Sequence, residues 1–347
     1  MPKQNYVFDD VLGMDVSEEQ FYERTAGPML SKFANGFNCT ILAYGQTGSG
    51  KTHTMGTYDI AAGGEESQGL ICTFVKDLFK ELTRPVTDRN QYEFQVKITY
   101  LEIYCEKVKD LLASNGSTSS QFGKGSLKVH KNTGRVCERG LQEHIVRDAA
   151  SIFDLLRLGA KYRATAATDG NARSSRSHAV FTLHLEQKIQ GNKLSSAFTF
   201  VDLAGSERVA QTGTDGQLQS EGIDINKGLS ALGRVINSIA EKALHVPYRD
   251  SKLTWLLQDA LGGNSQTLFL ACVSPAAANK EATCSTLQVH QFLSLFQLIR
   301  LFNSFNSCFA VREPSDEDSE RAGAKLGRVE ENAALSEPGG VTDPVAR

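Results

Sequence analysis

The chain has 347 residues, 40% of them hydrophobic and 22% charged, a balance that excludes a wholly disordered, collagen-like or membrane-embedded protein. At roughly 150 residues per domain it has room for about two ordinary domains, or for one large α/β domain with a tail. Its 37 basic and 40 acidic side chains leave a formal charge of −3, so a polyanionic partner must be met by a local basic patch and not by a global field. The seven cysteines are scattered, with no C-x-x-C pair and no histidine at metal-ligand spacing, which reads as reduced thiols. The opening MPKQNYVFDD carries neither an apolar signal core nor an Arg-rich amphipathic stretch, so an intracellular protein is expected.

In chain order, Ser17-Glu18-Glu19-Gln20 has capping-box spacing and starts a helix with Phe21, which Gly27-Pro28 bends or restarts before Leu30 and Phe33. TILAY, residues 40–44, reads as a short buried strand running into glycines. A helix is predicted over 70–82, and a half-buried strand over 94–100, where Phe94, Val96, Ile98 and Tyr100 alternate. Residues 113–126 form a polar Gly/Ser-rich loop, 148–162 a helix, and 179–189 and 198–201 two strands. Helices follow over roughly 217–241 and over 251–261, where Leu253, Leu256, Leu257, Ala260 and Leu261 make one apolar stripe. LFLACV, residues 268–273, is a buried strand stopped by Ser274-Pro275. Alternating strands and helices predict an α/β fold whose mixed, mostly parallel sheet is covered by helices on both faces. Residues 312–347 hold five basic and nine acidic side chains and no aromatic, the composition of a disordered acidic tail. No heptad pattern runs to any length, so a monomer is expected of the isolated chain.

Residues 45–52, GQTGSGKT, match G-x-x-x-x-G-K-[ST] between a strand and a helix start, as a P-loop requires. Gly45, Gly48 and Gly50 free the backbone so that the N–H groups of Gln46, Thr47, Ser49 and their neighbours can turn around phosphate oxygens. Lys51 would reach the β- and γ-phosphates, and Thr52 would hold Mg²⁺. FTFVDLAG supplies the apolar strand ending in an acid, Asp202, that would hold Mg²⁺ through water. Gly205 follows where a backbone N–H could meet the γ-phosphate and report its loss. Guanine readers need N-K-x-D, but Asn192-Lys193 runs into Leu194-Ser195 and Asn226-Lys227 into Gly228-Leu229. ATP is therefore the expected nucleotide. His53 could stack on its purine, or be an ordinary helix-start residue.

AYGQTGSGKTHTMG (43–56), NARSSRSH (171–178), DLAGSER (202–208) and HVPYRDSKLT (245–254) together resemble the kinesin motor domain, from Tyr6 to about Leu287. YLEIYCEKVKDLL and TAAT are most similar to its chromokinesin branch. The resemblance implies that NARSSRSH is switch I, with Ser175 on Mg²⁺ or the attacking water, and Asn171 and Ser174 closing the loop over the γ-phosphate. It implies that DLAGSE is switch II, with Arg176 and Glu207 paired to seal the site. Without that context the pair would be an ordinary surface ion pair. Phosphoryl transfer asks mainly for positioning and charge stabilisation, so Glu207 would accept the proton through a water relay while Lys51 and Mg²⁺ meet the developing charge. GIDINKGLSALGRVINSIA (222–240) resembles the relay helix that faces the microtubule. Tubulin is acidic, so Lys227, Arg249 and Lys252 are the candidate track contacts, with Arg208 and Lys242 as secondary ones.

Three departures accompany the match. The family's opening strand and its Arg-x-Arg-Pro segment have no counterpart before YVFDDVLG, so the first strand of the sheet is expected to be missing, leaving backbone groups unpaired on its neighbours. The loop VAQTGTDGQLQSE (209–221) is poor in cations, and Trp255 stands where the family pattern has Arg, both of which weaken an electrostatic contact with a track. After STLQ (285–288) the usual final helix and neck linker give way to VHQFLSLFQLIRLFNSFNSCFAVRE, in which Phe292, Leu295, Phe296, Ile299 and Phe302 keep helical spacing. A membrane anchor is disfavoured there by the interrupting polar residues. The abrupt changes at both ends imply an isoform, a fragment or a shifted reading frame. The expected layout is a motor domain over 1–287, an apolar segment over 288–311 and the acidic tail over 312–347. The expected activity is that of a microtubule-stimulated Mg-ATPase in the cytoplasm, on the microtubule cytoskeleton, with no nucleic-acid or membrane contact. The alternative is a non-catalytic or non-motile microtubule- or partner-binding module that keeps the fold.

Overall fold

A computed structural model describes residues 6, 8–13, 15–57, 69–84, 92–113, 127–132, 135–165, 175–207, 216–294 and 309–312. Its elements are α1 (Glu18–Arg24), α2 (Gly27–Ala34), β1 (Cys39–Tyr44), α3 (Lys51–Met55), α4 (Leu70–Leu82), β2 (Tyr92–Tyr104), β3 (Lys107–Asp110), β4 (Lys128–Asn132), β5 (Arg135–Arg139) and β6 (His144–Val146). They continue with α5 (Ala149–Thr165), β7 (His178–Ile189), β8 (Asn192–Asp202), α6 (Gly216–Ala240), α7 (Lys252–Leu256), β9 (Gln266–Cys272), α8 (Lys280–Ser294) and β10 (Phe309–Arg312).

One sheet organises the chain, in the order β10-β9-β1-β8-β7-β2-β3, with β6 also on β2; β4 and β5 form a separate hairpin. β10, β9, β1 and β8 are mutually parallel, while β7 opposes β8 and β2 opposes β7, β3 and β6, so five strands share one direction. The pleat sorts β1 between two cores. Ile41 and Ala43 join the face that holds Phe33, Phe74, Tyr100, Phe181, Phe198 and Phe200. Leu42 and Tyr44 join the face covered by α6, α7 and the turn after it through Leu232, Val235, Ile236, Leu253 and Leu257. All six β1 residues are therefore buried. The first core is an aromatic stack, with ring centroids 4.1 Å apart for Phe74 and Phe198 and 4.7 Å for Phe198 and Phe200.

Local chemistry explains most element ends. Ser17 Oγ accepts the Gln20 N–H and Gln20 Oε1 accepts the Ser17 N–H, both at 3.2 Å, which completes the expected capping box. The restart is at Gly27-Pro28, with proline in the first turn of α2. The 251–261 stripe is a helix only over α7. Leu257, Ala260 and Leu261 stay buried in the turns beyond it. There the Thr267 hydroxyl donates to the Ala260 carbonyl at 2.7 Å and the Tyr248 hydroxyl donates to that of Leu261. Helix α8 runs through residues 287 and 288 without a break. The expected loop at 113–126 and the acidic tail lie outside the described residues, apart from residue 113 and Arg312, the last residue of β10. No helix among the described residues is long and apolar enough to cross a membrane.

The expected missing strand does not leave β9 with a bare edge, because β10 pairs along it over Phe269–Cys272. β8 also begins six residues before the apolar run that signals it, as the second arm of a hairpin whose Ile189↔Asn192 pair encloses Gln190-Gly191. Both turn residues have positive φ, 50° and 82°, the signature of a type I′ turn. Asn tolerates that conformation far better than Gln, and β-branched residues barely tolerate it. Gln190→Asn is expected to raise the unfolding free energy by about 0.5 kcal/mol and Gln190→Val to lower it by about 1 kcal/mol, read from urea unfolding curves.

Candidate functional site

Register decides where the chemistry falls. β1 and β8 align Ala43 with Asp202, so the loop leaving β1 and the acid ending β8 sit side by side at the same end of the sheet. Gly45 turns the chain out of β1. A Cβ there would lie 2.0 Å from the Cys272 carbonyl oxygen and 2.7 Å from Ser49 Oγ, so only glycine fits. Gly48 and Gly50 have φ of 78° and 87°, and a Cβ at Gly48 would meet nothing within 4 Å. The loop is thus tight against the sheet at its first glycine and open at its second. The Ser49 hydroxyl holds its curve by donating to the Gln46 carbonyl at 2.8 Å.

The Lys51 ammonium lies inside that curve, donating to the carbonyls of Gly45 at 2.8 Å and Gln46 at 2.7 Å. Burial lowers its pKa, and the nearby Asp202 carboxylate opposes the shift. Asp202 Oδ2 accepts the Thr52 hydroxyl at 3.0 Å and the Arg163 guanidinium at 2.8 Å. Arg163 also donates to the Ser177 hydroxyl at 3.2 Å and the Ser177 carbonyl at 2.9 Å, which ties the last turn of α5 to the start of β7. Sequence motifs do not mark Arg163. The signal that could have found it is its place on the buried stripe Ile152, Leu156, Ala160, where a charge is out of character.

The two segments expected to be switches meet the loop through backbone and carboxylate. The N–H groups of Leu203 and Ser206 donate to the carbonyls of Ala43 and Gly45 at 3.3 and 3.0 Å. The Gly205 N–H donates to the Ser175 carbonyl at 2.9 Å, so it joins the segment after β8 to the one before β7. His178 Nδ1 accepts the Ala204 N–H at 3.0 Å. Burial, reinforced by Arg163 and Lys51, pulls its pKa down to about 3 and keeps the ring neutral. Glu207 Oε2 accepts the Thr47 N–H at 2.8 Å while its other oxygen takes the Thr47 hydroxyl. The expected Arg176–Glu207 pair is therefore not the contact made. The carboxylate closes onto the P-loop, where an N–H and a hydroxyl together satisfy both of its oxygens. Arg176, Ser175 and Thr52 are half-buried around the same mouth, as is His53 on α3. Asn171, Ser174 and Arg208 lie outside the described residues.

On the other face, Lys227 of α6 and Arg249 are exposed. Trp255 carries the Arg249 guanidinium 5.6 Å from its ring centroid and the Lys252 ammonium at 5.3 Å. A tryptophan at the expected arginine position thus gathers two cations onto one ring. Lys242 is exposed at positive φ, at the C-terminal end of α6.

The residues fit a magnesium nucleotide. Asp202 Oδ1 is buried and has no hydrogen-bond partner among the described residues, so beside the Thr52 hydroxyl it is free to take a metal-bound water. The open side of the loop at Gly48 leaves room for phosphate. Among the described residues no cluster of three His, Cys, Asp or Glu forms a separate metal site.

A glycine-rich loop curved around its lysine, next to a strand ending in a shared aspartate, defines a nucleotide-binding fold of the P-loop class. The kinesin motor domain family model matches residues 1–292, and the chain belongs to that family. It is 44% identical over 290 residues to the chromosome-associated kinesin KIF4 of Gallus gallus, in keeping with the chromokinesin resemblance; 82% of this chain and 23% of that protein are covered. It is 41% identical over 286 residues to the kinesin heavy chain of Drosophila melanogaster, covering 81% of this chain and 28% of that one. A solved fast kinesin, described for its ATPase mechanism and its interactions with microtubules, superimposes with a TM-score of 0.72 at 36% identity, covering 85% of this chain and 78% of that chain. The chain spans between 19% and 28% of the length of the curated kinesins KIF4, KIF21B and kinesin heavy chain that it matches.

Two outcomes follow from the buried charges. Arg163→Met leaves the Asp202 carboxylate without its cation and is expected to cost about 3 kcal/mol or more in denaturant unfolding. His178 binds its proton more readily in the unfolded chain, so stability should fall as the pH drops from about 6.5 toward about 3. In His178→Gln that slope should flatten, as measured by unfolding across the pH window.

Proposed function

We propose that this chain is a microtubule-stimulated motor ATPase core that binds Mg-ATP, hydrolyses it and couples switch closure to track affinity. The observation that carries the reading is the convergence of Lys51, Thr52 and Asp202 at one strand end, with Glu207 bonded directly to Thr47 of the P-loop. The backbone N–H groups from Gln46 to Gly50 and the Lys51 ammonium would hold the β- and γ-phosphates in place and meet the charge that develops on them. Thr52, Asp202 and Ser175 would hold magnesium, which when bound neutralises charge between the phosphate oxygens.

Glu207 exchanges its bonds to Thr47 for a water near the γ-phosphate and accepts the proton released by the attacking water through it. Arg176 pairs with Glu207 in that closed arrangement, and the Gly205 N–H leaves the Ser175 carbonyl for the γ-phosphate. Asn171 and Ser174 close switch I, and His53 lies toward the purine. Positioning supplies most of the acceleration in such a reaction, so small displacements of switch II are sufficient to gate it.

Switch II leads into α6, which packs on α7, so its displacement is passed to the face bearing Lys227, Arg249 and Lys252. Acidic tubulin is the partner that this cationic face fits. We assign the motor domain to 1–287, to whose sheet residues 309–312 add the edge strand β10, with the rest of the segment 288–311 and of the acidic tail 312–347 outside it, and a monomeric state in the cytoplasm on microtubules without nucleic-acid or membrane contact.

Steady-state hydrolysis with and without polymerised microtubules tests this, with Lys51→Ala as the blank. Stimulated ATP turnover that the variant lacks is expected. No turnover, in a sample that circular dichroism shows to be folded, would overturn it in favour of a binding module that keeps the fold. Arg249→Ala/Lys252→Ala should weaken microtubule cosedimentation by roughly tenfold at low salt, with a smaller loss at high salt.

A further inference from the structure

The outer edge of β9 is the part of this sheet that neighbouring motifs do not explain. β9 is an interior strand by its burial: six of its seven positions are buried. Leu268, Leu270 and Cys272 lie in one core and Phe269 in the other. Its inner edge is taken by β1. An open outer edge would therefore strand backbone donors and acceptors among apolar side chains, which is costly for each group left unpaired.

Phe309–Arg312 pairs with Phe269–Cys272 in parallel, one residue to one residue, over the whole of β10. A parallel neighbour has to be reached by a crossover, and β9, α8 and β10 follow one another as a β-α-β unit. The sequence around β10 suits a short closing strand, with Phe309 and Val311 as strand formers and Pro314 two residues after its end.

This edge reaches the nucleotide loop. Cys272, aligned with Arg312, is the residue whose carbonyl would meet a Gly45 Cβ at 2.0 Å. The backbone of β9 is thus the floor on which the first turn of the P-loop sits, and β10 is what holds that floor from the far side. Four residue pairs make a short ladder, close to the limit of independent stability, so it can undock while the rest of the sheet persists.

We propose that the β9 edge is an acceptor for an extended strand and that residues 309–312 are its occupant, so that the C-terminal segment is a detachable strap supporting the P-loop. Docked, it holds Cys272 and the Gly45 turn rigid. Undocked, it exposes the β9 edge and loosens the loop.

Native-state hydrogen exchange on the full chain tests the strap without using nucleotide or activity. In the unmodified protein the amides of 309–312 that face β9 should be protected, and protected to a similar degree as those of 269–272 that face β10. Exchange of 309–312 at unprotected rates would overturn the proposal even if no variant folds. In Ala310→Pro/Val311→Pro one of the two lost N–H groups necessarily faces β9, since successive N–H groups alternate sides. Protection of 269–272 should then fall at least tenfold and that of Gly45–Thr47 should fall with it, while Ala333→Pro/Ala334→Pro changes neither. A peptide spanning residues 305–316, added in excess to the double-proline variant, should restore the protection of 269–272. Protection unchanged by the double substitution would contradict it.

Discussion

The site depends on one carboxylate oxygen that serves two donors. Asp202 Oδ2 accepts both the Thr52 hydroxyl, at the start of the P-loop helix, and the Arg163 guanidinium, at the end of α5. Both ions are almost wholly buried. A buried pair adds little net stability over an apolar substitute, but it is costly to break, and this makes it a device for fixing geometry. The β1–β8 register brings Asp202 to the P-loop, and Arg163 sets the direction of its carboxylate. That direction leaves Oδ1 unpartnered beside Thr52, which is the requirement for a metal-bound water.

From that point order spreads through the backbone. Arg163 grips Ser177, the next residue opens β7 with His178, and His178 receives the Ala204 N–H from the segment after Asp202. Two residues later Ser206 donates back to Gly45. The ring P-loop, Asp202, Arg163, β7 and the segment after β8 is closed by hydrogen bonds between mostly buried groups, with Asp202 Oδ1 the one carboxylate oxygen left over at its centre. Glu207 and Thr47 at the mouth are the part of the ring reaching solvent, and the part that changes partners in the proposed reaction. The stiffness of the ring and the looseness of its mouth have the same origin in burial.

The P-loop and Asp202 were legible in the sequence because each has a stated chemical duty, and the apolar runs TILAY and FTFV place them on strand ends. The aromatic and aliphatic runs likewise announce β1, β9 and the helices at 70–82 and near 149–165. The hairpin turns were not legible. Cys105-Glu106 and Gln190-Gly191 both adopt positive φ, yet neither is an Asn-Gly pair. Glu106 repays its conformation by accepting the Lys252 N–H at 2.8 Å, a contact no local pattern discloses. Arg163 escaped because its duty is tertiary. The Arg176–Glu207 pair was expected from the family-matched positions of two opposite charges, whereas in the structure the N–H and hydroxyl of Thr47 satisfy Glu207. β10 hid at the end of an apolar segment whose only visible period, from Phe292 to Phe302, is helical, and its own four residues are too few to show another.

The most direct measurement is calorimetric titration of ATP into the chain and into Asp202→Asn, each with magnesium and with chelator. A shared carboxylate that holds the metal predicts magnesium-enhanced binding in the parent and little or no enhancement in the variant, with both samples folded. Equal magnesium dependence in the two would contradict the role of Asp202 and, with it, the ring that the rest of the site is built on.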